Sequence, residues 1–299
     1  MKNSLKVIYL ISFIIICFSK ISFAQRNDYS FEISPLIEKN RMFSVGLGGT
    51  FIEHNSWFNN GVLYILDPYN QNTSRRNIYF TFAPYFKIRP MKCIELDISA
   101  RFIYQRQDSR NDLTSATNFS HSFGFNTINA SIKATFLDWY LSIGAKIGIG
   151  NTFNDNFSYQ ELNDPLNMYA TIMIAGIPKV IPVNFLFTYT FDSRNDIIQN
   201  IFKYGEIVGA IEIITSPFVT LYTGITYLFP YKKENELTYI EAFIKFKATI
   251  SDFLYMTASY HKVVWGNGNV ANSSTFNFSI EYMFYTPKWD WWNSKFNKK

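Results

Sequence analysis

The chain has 299 residues, of which 47% are hydrophobic and 19% aromatic, while only 17% are charged, and its formal net charge is +5. Its mean hydropathy of -0.05 is too low for a protein of long membrane helices, because apolar and polar residues are finely mixed. The composition therefore argues against a helical membrane protein. The modest basic excess predicts no nucleic-acid partner.

Residues 1–24 have the three parts of a secretory signal peptide. A basic start precedes an apolar core at Val7–Phe18, and small residues lead to Ala24, where we expect cleavage. The sequence therefore predicts an exported protein with a mature chain that begins near Gln25.

Loss of this leader changes the charge and the cysteine count. The leader contains three lysines and no acid, so 25 basic and 23 acidic residues are left, a net charge of +2. Cys93 then has no partner for an intramolecular disulfide. We expect its side chain to behave as a small buried hydrophobe.

Beyond the leader, the recurring pattern is the alternation with period two that is typical of β-strands. No apolar run approaches the ~18 residues that a membrane helix needs. Each alternating segment has the ~9–11 residues with which a tilted strand crosses a bilayer. A change of phase near Asn126 predicts a β-bulge. Twelve strands are predicted, at residues 42–53, 76–88, 92–107, 119–136, 138–150, 167–177, 181–192, 203–215, 217–230, 237–250, 252–264 and 274–285.

The connections between these segments alternate between short and mostly longer ones. Outer-membrane barrels have short periplasmic turns and longer extracellular loops, and an even strand number leaves both termini in the periplasm. We therefore predict an all-β fold, a single antiparallel transmembrane β-barrel. The short connections are Arg89–Met91, Leu137, Pro178–Val180, Ser216 and Ser251, and the longer ones are 54–75, 108–118, 151–166, 193–202, 231–236 and 265–273.

The predicted barrel occupies residues 42–285, after a short periplasmic segment at 25–41. The tail at 286–299 is rich in tryptophan and lysine, a combination that suits a membrane interface, although a disordered tail is the alternative. Two further apolar stretches, Tyr29–Ser34 and Val62–Leu66, leave fourteen strands open as an alternative.

Charged residues within the predicted strands are expected to point into the barrel. Facing lipid would cost about 2–4 kcal/mol for an Arg or Lys at the midplane. Inside, they either line a water-filled channel or pair into a network that fills a narrow lumen. Six basic and six acidic residues form this predicted inner set: Lys87, Glu95, Asp97, Arg101, Lys133, Lys146, Glu206, Glu212, Glu241, Lys245, Lys247 and Glu281.

All three histidines, His54, His121 and His261, fall near the predicted extracellular rim. A rim protease would pair His121 with Asp108 or Asp112 to activate water. Solvated loop histidines are the simpler interpretation. No HExxH, CxxC or phosphate-binding signature is present, so the sequence predicts no enzyme, no catalytic residue, no metal and no cofactor.

The segment His54-Asn55-Ser56 resembles the His-x-Ser pair of outer-membrane lipases. The resemblance implies His54 as base and Ser56 as nucleophile, with Asp67 near the place of an orienting group. The Asn-Gly that tends to follow the serine in that family is absent, and Trp57-Phe58 stands there instead. A lipase is therefore kept as a remote alternative.

In architecture, the chain resembles bacterial outer-membrane β-barrels. The last strand, Phe276–Phe284, has the alternating aromatics of the C-terminal signal that the barrel-assembly machinery reads, although the tail continues beyond it. The resemblance implies a location in the outer membrane, with lipid and the assembly machinery as partners. It identifies no specific family.

Two main functions follow from this prediction. The first is a narrow porin-like channel for small polar solutes, which would pass the inner charges and tyrosines such as Tyr79, Tyr85 and Tyr222. The second is a surface barrel with a closed lumen that acts as an adhesin or structural protein through its loops. Its contact surface would be loop 54–75.

Overall fold

The structure is a computed structural model, and within the part of the chain that it describes the fold is all β. No helix in this part is long and apolar enough to span a membrane. The described residues are 34, 42–59, 61–64, 73–91, 93–111, 117–138, 140–152, 166–178, 181–192, 204–216, 218–231, 238–251, 253–268 and 270–284.

Fifteen strands are present in these residues. Twelve belong to one closed barrel, and three short ones form a separate small sheet. In chain order they are β1 Phe43–His54, β2 Trp57–Asn59, β3 Val62–Tyr64, β4 Thr73–Met91, β5 Ile94–Asn111, β6 Thr117–Asp138, β7 Leu141–Thr152, β8 Leu166–Gly176, β9 Val183–Asp192, β10 Tyr204–Ser216, β11 Val219–Pro230, β12 Thr238–Ser251, β13 Leu254–Asn267, β14 Val270–Ala271 and β15 Ser274–Phe284.

Each barrel strand pairs antiparallel with the barrel strands on either side of it. The barrel closes where β1 pairs with β15, in a register that runs from Phe43 opposite Phe284 to Glu53 opposite Ser274. Closure leaves no open sheet edge, which is what allows a β-sheet to span a membrane. The predicted antiparallel barrel and its twelve strands are confirmed.

Short and long connections alternate around the barrel as predicted. Their exact residues differ, because several strands begin or end a few residues away from the predicted bounds. Strand β4 continues through Arg89 to Met91, so the turn between β4 and β5 lies at 92–93 and its prediction at Arg89–Met91 was wrong. Cys93, in this turn, is exposed rather than buried. We call the two ends of the barrel the turn end and the loop end.

The fourteen-strand alternative does not hold for Val62–Leu66. The strand in this stretch, β3, pairs with β2 in a three-stranded sheet that also contains β14, outside the barrel ladder. Tyr29–Ser34, apart from Ser34, lies outside the described residues, as do most of 25–41 and all of 286–299.

Strands β4, β5 and β6 are much longer than a bilayer requires. They contain 19, 18 and 22 residues, against the ~9–11 that a tilted strand needs to cross the membrane. Their pairing continues at the loop end as far as Thr73 opposite Asn111 and Arg110 opposite Thr117. The three strands therefore extend the barrel wall on one side.

The predicted bulge is present in β6. The register between β5 and β6 pairs Arg101 with Thr127 and Phe102 with Phe125, which leaves Asn126 as the additional residue. Asn126 is fully buried. The bulge preserves the alternation on both sides, because it absorbs the change of phase.

Burial alternates along the strands and separates an outer from an inner face. In β5, Ile98 is 55% exposed, whereas Asp97 and Ser99 on either side of it are buried. The outer face is apolar and exposes aromatic rings toward both ends of the barrel. At the turn end these include Phe136, Tyr140, Phe218, Phe253 and Phe284, and toward the loop end Tyr104, Phe119, Phe123, Tyr227, Tyr260 and Trp265.

Candidate functional site

The inner face of the barrel is the candidate functional site, and the structure places all twelve predicted charges on it. Burial varies among them, with Lys245 and Lys247 half-buried. The side chains of Lys87, Glu241 and Glu281 are 13–18% exposed. The fully buried members are Glu95, Asp97, Arg101, Lys133, Lys146, Glu206 and Glu212.

Five of the inner side chains form an ion-paired cluster at the turn end, which we call the turn-end cluster. Glu281 on β15 accepts hydrogen bonds from Tyr85 at 3.2 Å, from Lys87 at 3.3 Å and from Arg89 at 3.4 Å. Arg89 also donates to Glu95 at 2.5 Å. Two acids therefore share two cations, and each charge has a partner of opposite sign.

Gly46 on β1 makes room for this cluster. In the register, Gly46 lies between Glu281 on one neighbouring strand and Tyr85 on the other. A Cβ atom at Gly46 would lie 2.1 Å from Cζ of Tyr85. The tyrosine ring therefore lies over the glycine and reaches across β1 to the carboxylate.

Arg89 is the member of the turn-end cluster that sequence reasoning missed. The alternation assigned it to a turn, whereas β4 continues to Met91. The signal was available, since Arg89 follows Tyr85 and Lys87 at the same spacing of two. Its side chain is only 4% exposed.

A second set of charges lies in rows across β4 to β7. The register places Lys133 between Glu95 and Lys146, and Asp97 opposite Lys87. Side chains directly opposite each other on one face of a sheet are close enough to interact. Acidic and basic groups are thus distributed through this wall rather than separated by sign.

Three inner lysines lie over tyrosine rings. The ammonium of Lys87 is 5.4 Å from the centre of Tyr85, that of Lys245 is 5.6 Å from Tyr222, and that of Lys247 is 5.1 Å from Tyr255. These distances fit cation–π contacts. The three tyrosines predicted to meet a solute are all buried, and Tyr79 is fully buried in a cluster with Ile52 and Ile103.

On the opposite wall, Glu212 accepts a hydrogen bond from Asn184 at 2.7 Å, and both are buried. Nearby polar atoms have no protein partner. Thr188 and Thr226 flank Val208 in adjacent strands, and the buried hydroxyl oxygen of each lacks a hydrogen bond in the described structure. Buried polar groups are nearly always satisfied by protein or by ordered water, so this wall needs water.

Two of the three histidines lie toward the loop end, as predicted, and the third is buried. His121 is exposed on β6, and His54 is the last residue of β1, with a side chain that is not described. His261 lies within β13 and is buried on the inner face, so its interpretation as a solvated loop histidine was wrong. Its Nδ1 is 2.8 Å from Oε1 of Glu241.

The lipase-like and protease-like sets receive no support from the described contacts. Ser56 hydrogen-bonds Asn55 and Asn272. Asp108 pairs with Arg106 at 2.8 Å, and Asp67 and Asp112 lie outside the described residues. Within the described part of the chain, no group of three or more His, Cys, Asp or Glu could hold a metal ion.

Known structures supply the comparison for this architecture. No protein-family model matches the chain, and no curated protein matches its sequence. An outer membrane channel from Pseudomonas putida F1 superposes with a TM-score of 0.56 at 9% identity, over 87% of this chain and 100% of that one. The chain has the fold of bacterial outer-membrane β-barrels.

Two further solved structures are similar to this chain at lower TM-scores. The transport unit of the autotransporter AIDA-I from Escherichia coli gives a TM-score of 0.49 at 8% identity, covering 86% of this chain and 95% of that one. The KdgM porin in complex with oligogalacturonate gives 0.47 at 6% identity, over 81% and 99%. Identities this low show the fold of this outer-membrane barrel and leave its function to its own residues.

Proposed function

We propose that the protein is exported and resides in the bacterial outer membrane. The leader at 1–24 and the aromatic final strand β15 support export followed by insertion through the barrel-assembly machinery. The outer face supports residence in lipid, because aromatic rings border an apolar belt. Phe218, which immediately precedes β11, and Tyr227 within it are separated by about 30 Å along the strand, or about 23 Å across the membrane at a tilt of about 40°, close to the apolar belt of known barrels.

Within that membrane, the function supported best is a narrow channel for small polar solutes. The observation that carries it is the polarity of the inner face. Among the described residues, buried polar and charged residues number 30, against 17 buried hydrophobic ones. Paired charges could fill a closed lumen, but orphaned hydroxyls such as those of Thr188 and Thr226 lie outside any ion pair and call for water.

The pairing of the inner charges determines what kind of channel this is. Within the turn-end cluster, opposite charges pair with each other. The cluster therefore narrows the bore and creates little net electrostatic field in it. Lys245 and Lys247 are half-buried inner cations that lie outside this cluster. We therefore expect low conductance with a weak preference for anions.

Single-channel recording of the refolded mature protein in a planar bilayer tests this function. Stable open steps that increase with salt concentration are expected, together with permeation of small uncharged solutes. A folded barrel that inserts but stays silent at every voltage and salt concentration would contradict the channel. Folding is verified independently by the shift in electrophoretic mobility between heated and unheated samples.

A closed barrel that binds through its loops is the second candidate, and one observation favours it. Strands β2, β3 and β14 form an ordered sheet at the loop end, where Val62 and Leu63 are exposed. Exposed apolar loop residues suit a binding surface. Deletion of 54–75 should abolish attachment to a ligand or cell under this alternative while conduction, if present, continues. The remote lipase alternative predicts lipid hydrolysis that is lost with His54→Ala.

A further inference from the structure

Three inner side chains on β12 and β13 form a continuous chain of hydrogen bonds. Oε1 of Glu241 is 2.8 Å from Nδ1 of His261, and Nε2 of the same ring is 3.0 Å from Oγ of Ser259. Ser259 and His261 lie two residues apart on the same face of β13, and Glu241 reaches them from β12. Sequence inspection could not show this, because the acid comes from another strand.

The chemistry of the three groups fixes the direction of the protons. An ionised carboxylate can only accept, so Nδ1 of His261 carries the hydrogen that Glu241 receives. In the neutral ring, Nε2 then has a lone pair and accepts the hydroxyl hydrogen of Ser259. An acid thus orients a base, and the base activates a hydroxyl, which is the arrangement that serine nucleophiles require.

The surroundings hold this arrangement in place. Ser259 is 6% exposed and His261 is 5% exposed. Phe243 stacks on the imidazole with ring centres 5.4 Å apart and planes at 21°. The imidazole therefore has little freedom to turn away from its two partners.

Asn277 on β15 adds an observation that points to a ligand. Its Nδ2 donates to Oγ of Ser259 at 3.2 Å, while its Oδ1 is buried and has no hydrogen-bond partner in the described structure. Asn277 itself is 4% exposed. A buried carbonyl oxygen without a partner costs free energy, so water or a bound molecule must supply the missing donor. The orphaned oxygen adjoins the serine and can accept a hydrogen bond from a hydroxyl or N–H of a bound molecule.

We propose that Ser259, His261 and Glu241 form a hydrolytic site within the lumen for short-chain esters of polar solutes. Oγ of Ser259 attacks the ester carbonyl carbon as Nε2 of His261 takes its proton. The bond to the alcohol breaks, and the alcohol leaves with that proton. Water then attacks the acyl-serine and gives its proton to His261, the acid leaves, and Ser259 regains its hydrogen.

The enclosure of the site sets its substrate class. Only a small acyl group, such as acetyl, reaches a serine that lies so deep beside Phe243. Nδ2 of Asn277 lies 3.2 Å from Oγ of Ser259, and in the proposed site its second N–H would stabilise the negative charge that develops on the carbonyl oxygen. The hydrolytic site depends on the proposed function in one respect, because the lumen must be hydrated. Substrate and water must reach the site from one end of the barrel, but nothing has to pass through the whole barrel.

Covalent labelling of the full refolded barrel with methanesulfonyl fluoride, a serine reagent close to an acetyl group in size, tests the site when the product is read by mass spectrometry. One adduct is expected, on Ser259, together with hydrolysis of p-nitrophenyl acetate that Ser259→Ala abolishes. His261→Gln should slow labelling about 100-fold or more, and Glu241→Gln about tenfold or more. Ser279→Ala is the matched control, because Ser279 is also buried on the inner face but bonds to Thr257. In the Ser279→Ala variant, Ser259 should be labelled at the wild-type rate.

The pH profile separates a base from a structural contact. Labelling should decline on acidification, because a protonated Nε2 cannot accept the serine proton. Failure to find an adduct on Ser259 in a barrel that folds would overturn the proposal, as would equal labelling rates in wild type, His261→Gln and Glu241→Gln. A barrel that conducts but forms no adduct would contradict the hydrolytic site and leave the channel proposal standing. A barrel that forms the adduct but does not conduct would contradict the channel and leave the hydrolytic site standing.

Discussion

Glu281 and Lys87 are 194 residues apart in the chain, yet Oε2 of the first lies 3.3 Å from Nζ of the second. The contact crosses β1, which runs between the strands that carry them. It therefore spans the seam where the first and last barrel strands meet. Arg89 and Tyr85 bind the same carboxylate, so one acid on β15 is tied to three side chains of β4.

Glu281→Gln should weaken this seam. The substitution removes the charge that Lys87 and Arg89 share, although Arg89 keeps Glu95. We expect the free energy of unfolding, measured by urea titration of the refolded barrel, to fall by about 1–3 kcal/mol. Glu53→Gln is the control, since its partner Arg76 is 53% exposed, and it should change stability by less than about 1 kcal/mol. Equal losses of stability in the two variants would show that the turn-end cluster stabilises the barrel no more than an exposed ion pair does.

Gly46→Ala should destabilise the barrel through a clash with Tyr85. The added Cβ would lie 2.1 Å from Cζ of the ring, so the ring must move and lose its contact with Glu281. A loss of about 1–3 kcal/mol is expected from the same urea titration. Gly209→Ala meets nothing within 4 Å and should be neutral or slightly stabilising. Adding Tyr85→Leu to Gly46→Ala should recover part of the lost free energy of unfolding. If it recovers none, the clash with the tyrosine ring is not the cause of the loss.

Lys245→Glu should change the ion selectivity of the channel. The half-buried ammonium over Tyr222 is replaced by an acid at the wall of the bore. Reversal potentials in a salt gradient should shift toward cations, with the permeability ratio changing about twofold to tenfold. Arg110→Glu makes the same change of charge at the exposed loop-end tip of β5 and should have little effect, because salt screens it. An equal shift of the reversal potential in both variants would mean that charges at the mouth of the barrel set the selectivity.

Gly61→Ala should loosen the small sheet at the loop end without unfolding the barrel. Gly61 has a φ of 74°, which side chains disfavour, and its Cβ would lie 2.6 Å from Nε1 of Trp265. Protease cleavage between β1 and β4 should accelerate, while the electrophoretic shift that marks the folded barrel remains. Unchanged cleavage would mean that this turn does not restrain the sheet.

Sequence patterning predicted the features that depend on neighbouring residues. Alternation located the twelve strands, and its change of phase located the bulge at Asn126. Contacts that depend on register across strands were out of reach. Arg89 was missed because the end of β4 is set by pairing with β5. The burial of His261 was missed because nothing local reveals its contact with Glu241. The small sheet joins β2 to β14, which are far apart in sequence.

The central claim is that the inner face is in contact with water while the outer face is in contact with lipid. Cysteine labelling at two adjacent positions of β12 tests it most directly, in a Cys93→Ser background because that thiol is exposed. Lys245→Cys lies on the inner face, and Ile244→Cys replaces an exposed residue of the outer face. In lipid vesicles, a small charged thiol reagent should modify Lys245→Cys rapidly and leave Ile244→Cys unmodified. Rapid modification of Ile244→Cys with protection of Lys245→Cys would contradict the account.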